Sequence, residues 1–75
     1  MINLTQVTQT DPEIMSGAPV FTGTRVTVRS LFDYLGAGDS IEEFLHQFPS
    51  VHRDQAVAVL DAAYESVASN AHIAG

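Results

Sequence analysis

Thr27-Val28-Arg29-Ser30-Leu31-Phe32-Asp33-Tyr34-Leu35-Gly36, continued through Ala37-Gly38-Asp39 into Ser40-Ile41-Glu42-Glu43-Phe44-Leu45-His46-Gln47-Phe48-Pro49, is the stretch that decides the fold. In its first half Val28, Leu31, Phe32 and Leu35 fall at i, i+3, i+4 and i+7, the spacing of one apolar helical face. Thr27 is placed to cap the start of that helix, and Gly36 is suited to the position just past its end. In the second half Ile41, Phe44, Leu45 and Phe48 repeat the spacing. Ser40 and Glu43 have the capping-box form, in which each side chain satisfies the other's orphan amide, and Pro49 stops the helix.

Toward the C-terminus Ala56, Val57, Leu60, Ala63, Tyr64 and Val67 make a third apolar stripe of about three turns, entered from Ser50 or His52. Residues 69–75 read as a flexible tail. Toward the N-terminus, Ile14, Val20, Phe21, Val26 and Val28 are punctuated by Gly17, Pro19 and Gly23, the pattern of short strands joined by tight turns. A hairpin is expected over residues 14–28, turning near Thr22-Gly23, with Pro19 confined to an edge or a strand start. Residues 1–10 form an arm that ends at the turn signal Asp11-Pro12. The expected architecture is mainly α: one domain over residues 1–75, with a short N-terminal β-hairpin followed by a three-helix bundle at 28–68. Helices of roughly 8, 9 and 15 residues with short connections match the homeodomain-like, helix-turn-helix plan.

A chain of 75 residues has room for one small core and buries only about 60–65% of its unfolded surface, so self-association is the expected staple. Cysteine is absent, which removes disulfides and thiolate metal sites and favours a reducing compartment. The longest unbroken apolar run, Ala56 to Leu60, is far too short to span a bilayer. The opening residues lack a basic and hydrophobic leader pattern, so a cytoplasmic location is expected. Charge is more informative. Three Arg, no Lys and nine acids give a formal net of −6. Residues 1–30 balance Arg25 and Arg29 against Asp11 and Glu13, so the helical portion, with Arg53 against seven acids, holds all the excess. DNA affinity comes largely from Lys and Arg neutralising phosphates, which such a surface supplies poorly. A basic protein partner suits it better.

The residues that could carry chemistry have plainer roles. His46, His52 and His72 lack the i, i+4 spacing of a helical metal pair and read as surface side chains. Gly36-Ala37-Gly38 follows a helix rather than a strand, so helix termination explains it better than a dinucleotide loop. Glu42, Glu43 and Asp54 are first-turn acids of the kind the helix dipole favours, and no serine sits in a nucleophile elbow. Neither an enzyme nor a cofactor or metal site is expected. Gly23-Thr24-Arg25-Val26-Thr27 reads as structural, with threonine bonding local backbone and Arg25 tying the hairpin to the helices; a phosphate or partner contact is the alternative. On the third helix, Asp54, Asp61 and Glu65 fall within about 40° of one another, and the like charges at Asp61 and Glu65 repel unless a cation meets them. A solvated acidic face is the plainer explanation, and a docking surface for a basic protein the sharper one. Gln55, Val59, Ala62 and Ser66 form a small, weakly polar patch, expected as a dimer contact.

The run Asp11-Pro12-Glu13-Ile14, Gly17-x-Pro19-Val20, Gly23-Thr24-Arg25-Val26-x-Val28, Gly38-x-Ser40-Ile41-Glu42-Glu43 and Phe48-Pro49 resembles the small bacterial "domain of unknown function" family numbered 433, over about residues 7–65. The resemblance implies a homeodomain-like fold, often dimeric, and genetic pairing with a PIN-like ribonuclease toxin, the chain being the VapB-type antitoxin. It also implies autoregulatory DNA binding. This sequence departs from the family pattern at Ala18 and Thr22, where basic residues are common, and at Val51-His52-Arg53-Asp54, where a leucine and a hydroxyl cap are more usual. Two functions therefore compete. One is an antitoxin that masks a basic nuclease through Asp54, Asp61 and Glu65. The other is a DNA-binding transcriptional regulator using Arg53 in the major groove and Arg25 or Arg29 on phosphates, mainly in complex with the toxin. A purely structural adaptor is a third.

Overall fold

The computed structural model describes residues 4–74, with side chains described over residues 6–69. Its elements are α1 (Leu4–Val7), β1 (Thr8–Gln9), β2 (Val20–Phe21), α2 (Val28–Gly36), α3 (Ile41–Gln47) and α4 (Arg53–Ala74). A short antiparallel sheet followed by three helices is the mainly α architecture expected.

The strands sit differently from the simple hairpin. The turn at Thr22-Gly23 is present: the Thr24 amide donates to the Phe21 carbonyl at 2.9 Å, and Gly23 takes φ +80°, the left-handed value a type II turn demands at its third position. Beyond it the returning segment makes only an isolated bridge, Val20 with Thr27. The regular partner of β2 is instead the arm, with Thr8 opposite Phe21 and Gln9 opposite Val20. The arm is thus part of the body, and Val7 is buried in the core. Pro19 lies just before β2, where its missing amide costs nothing and its carbonyl accepts from the Val28 amide at 2.9 Å.

Between the strands, Met15, Ser16 and Gly17 all have positive φ, at 51°, 56° and 85°. For the two residues with a Cβ this costs on the order of 1 kcal/mol each. Asp11 braces the preceding turn: its carboxylate accepts from the Glu13 amide at 2.9 Å, and its carbonyl accepts from the Ile14 amide at 2.9 Å.

The helix termini follow the capping logic with two amendments. Thr27 Oγ1 accepts from the Ser30 amide and Ser40 Oγ from the Glu43 amide, as expected. The box at Ser40 is only half formed, because the Glu43 carboxylate faces Gln47 Nε2 at 3.5 Å along its own helix. Gly38, not Gly36, supplies the left-handed residue after α2. The Asp39 amide donates to the Tyr34 carbonyl and the Gly38 amide to the Leu35 carbonyl, the paired bonds of a Schellman motif. The helices are 9, 7 and 22 residues long, so the last continues well past the end of the apolar stripe. The run Ala62 to Ala74 contains no proline or glycine to stop it.

The core is centred on Phe44. Its ring lies 6.1 Å from Phe21, 5.6 Å from Tyr34 and 5.1 Å from Phe48, while Tyr34 also meets Phe48 edge-on at 5.6 Å. Val7, Leu31, Val51, Ala56 and Val59 complete the cluster. Replacing Phe44 with Ala should cost about 3–5 kcal/mol, comparable with the roughly 4–11 kcal/mol available to a domain of this size. Urea unfolding followed by circular dichroism should find F44A largely unfolded and F44L folded with a lower midpoint. A midpoint for F44A equal to that of the unaltered chain would show that the ring is not the anchor.

Candidate functional site

α4 is where the expected site residues converge, and its orientation decides what each can do. The chain enters it through Val51, which is buried, and His52, whose carbonyl accepts the first helical bonds from the Gln55 and Ala56 amides. His52 is therefore the N-cap, and no hydroxyl is needed there. Gln55, three residues on, accepts from the His52 amide through Oε1 at 2.9 Å and donates through Nε2 to the Thr22 carbonyl at 3.1 Å. One side chain thus closes the helix start and ties it to the β-turn.

This placement corrects the expected dimer contact. Gln55 is only 9% exposed and Val59 5%; both face the body of their own chain. Ala62 is half-buried and Ser66 exposed, so the four do not form a common free surface. The apolar stripe shifts accordingly. Ala56 is fully buried and Leu60 partly so, but Val57 is 39% exposed, Tyr64 69% and Val67 66%. The covered face of α4 runs through Gln55, Ala56 and Val59, about a quarter turn or more from the stripe that hydropathy alone selects.

The acids are displayed. Asp54, Asp61 and Glu65 are all exposed, and no ion pair among the described residues engages them. The cations are mostly committed. Arg53 Nη1 meets Glu42 Oε1 at 2.9 Å, bridging the start of α4 to α3, and Arg29 lies 3.7 Å from Asp33 one turn along α2. Arg25 is exposed and makes no ion pair among the described residues. It does not tie the hairpin to the helices; Thr24 does the local work instead, donating to the Phe21 carbonyl at 2.8 Å and accepting from the Val26 amide at 3.0 Å. Among the described residues the three arginines thus offer one guanidinium without an ion-pair partner.

His46 and His52 are exposed, the side chain of His72 lies outside those described, and among the described residues no group of three His, Asp or Glu could hold a metal ion. Among the described residues no helix is long and apolar enough to cross a membrane. What periodicity missed was the covered face of α4, because much of the stripe it selects points outward. The available signal was Gln55, a polar residue whose position three after His52 matches the return half of a capping box.

Two measurements test this description. Gln55→Ala removes both bonds and should lower stability by about 1–2 kcal/mol in denaturant titration; an unchanged midpoint would rule out the tie to Thr22. The Arg53 guanidinium, by hydrogen bonding to Glu42, holds that carboxyl below its ordinary range, aided by a backbone amide. The unfolded chain therefore binds the proton more readily, so the contribution is present above the ordinary carboxylate pKa and is lost as pH falls through the folded value. NMR titration should find Glu42 titrating below the ordinary glutamate range, and Arg53→Gln should remove most of that depression.

The family described as "Protein of unknown function (DUF433)" matches residues 9–63. No curated protein and no solved structure matches the chain.

Proposed function

The chain belongs to the DUF433 family, and we propose that it is a non-catalytic, cytoplasmic antitoxin of a type II toxin–antitoxin pair that binds and neutralises a basic, PIN-like ribonuclease. The observation that carries this reading is the asymmetry of charge pairing. Two of the three arginines are engaged within the chain, while Asp54, Asp61 and Glu65 stand exposed on α4 without a cation among the described residues. The unbalanced potential is negative, and a cationic protein is the partner it attracts.

Duplex DNA binding is the weaker reading. It would need Arg53 to leave Glu42 and Arg29 to leave Asp33, and even then three guanidiniums would face phosphates beside an excess of carboxylates. We place any operator binding in the complex with the toxin, whose basic surface supplies the missing charge.

Reversing the charges tests the proposal. Asp61→Lys with Glu65→Lys alters two exposed positions, so folding stability should change by no more than about 0.5 kcal/mol. The unaltered chain, coexpressed with the basic PIN-like ribonuclease that the proposal requires, should restore growth, and the double variant should fail to do so. Equal rescue by both would remove the acidic surface from the mechanism.

A further inference from the structure

Val57, Leu60, Tyr64 and Val67 are spaced by three, four and three residues, which lines them up nearly parallel to the axis of α4 over about 15 Å. Of the four only Leu60 also packs partly against the core; the face that lies on the body runs through Gln55, Ala56 and Val59. Tyr64 and Val67 are about two-thirds exposed, in a stretch of helix where every described side chain beyond Leu60 is half-buried at most. The radius of gyration, 13.1 Å, exceeds the about 11 Å of a compact chain this long, as expected when a helix of about 33 Å overhangs a small body. α4 therefore carries two apolar faces, one covered and one open.

The flanks of the open seam differ. On one side lies the body. On the other, about 80–120° round from the centre of the seam, stand Asp61, Asp54 and Glu65. An antiparallel second copy would bring further carboxylates against these, and a copy in either direction offers no free cation from the same helix, since α4 has no Lys and its Arg53 already meets Glu42. Charge complementarity selects a different occupant. Resting on the reading that the partner is a basic protein, we infer that the seam Val57, Leu60, Tyr64 and Val67 seats an amphipathic helix of that partner. Its apolar residues repeat at three- and four-residue steps over three turns, and its Arg and Lys lie along one flank only, over Asp61 and Glu65.

The experiment uses the full chain and three fluorescein-labelled synthetic helical peptides. One has Leu at the seam spacing with Arg on the matching flank, one has the same composition with Arg moved to the opposite flank, and one has Glu in place of Arg. In anisotropy titrations the first should bind more tightly than the other two, and added salt should weaken it. Tyr64→Ser with Val67→Ser, two exposed positions whose replacement leaves the circular dichroism unchanged, should weaken it about tenfold or more. Asp61→Asn with Glu65→Asn should weaken it several-fold. Equal binding of the two arginine peptides, or affinity untouched by Y64S/V67S, overturns the inference. So does sedimentation showing a dimer that Y64S/V67S dissociates, because a second copy then occupies the seam. The two readings separate in cells. Seam-dependent peptide binding without protection from a PIN-like ribonuclease sinks the antitoxin and leaves the seam; protection undiminished by Y64S/V67S sinks the seam and leaves the antitoxin.

Discussion

The packing of one ring, Phe44, organises this molecule. It is fully buried, and its neighbours come from the sheet through Phe21, from α2 through Tyr34, and from the end of α3 through Phe48. Aromatic pairs in offset or edge-on geometry add to the stabilisation from area burial alone. A chain with so few large apolar side chains can concentrate them once, and here it does so where the sheet and two helices converge. The surrounding positions are filled by smaller groups, Val7, Val51, Ala56 and Val59, which let α4 and the arm come close.

That economy explains why parts of the fold were legible in the sequence and others were not. α2 and α3 could be read because their caps are local chemistry: Thr27, Ser40 and Pro49 act on amides a few residues away, and Phe44 and Leu31 fall on a single stripe. The turn at Gly23 could be read for the same reason. α4 was readable as a helix but not in its phase. Apolarity measures what could be buried, and its most conspicuous residues, Tyr64 and Val67, are on the open side. The covered side uses alanine, valine and a glutamine whose polar atoms are both satisfied, a face with little hydropathic contrast. The pairing of β1 with β2 and the left-handed run at Met15 and Ser16 depend on tertiary closure, and no residue type in those segments announces them.

The candidate surface follows from the same division. Where α4 touches the body its polar groups are paired, as Arg53 is with Glu42 and Gln55 with Thr22. Where it leaves the body, carboxylates and apolar side chains are displayed side by side with no counterpart among the described residues. The acids were identifiable from composition and spacing. Their apolar neighbours are not, since hydropathy alone assigns them to the interior.

The short α1 packs against α4, so a segment made before the sheet and the other helices rests on one made after them. During synthesis Leu4–Val7 leaves the ribosome long before the surface it needs exists, and Val7 waits in solvent while the three helices are still being made. Closing so long a loop is the slow, non-local part of assembly.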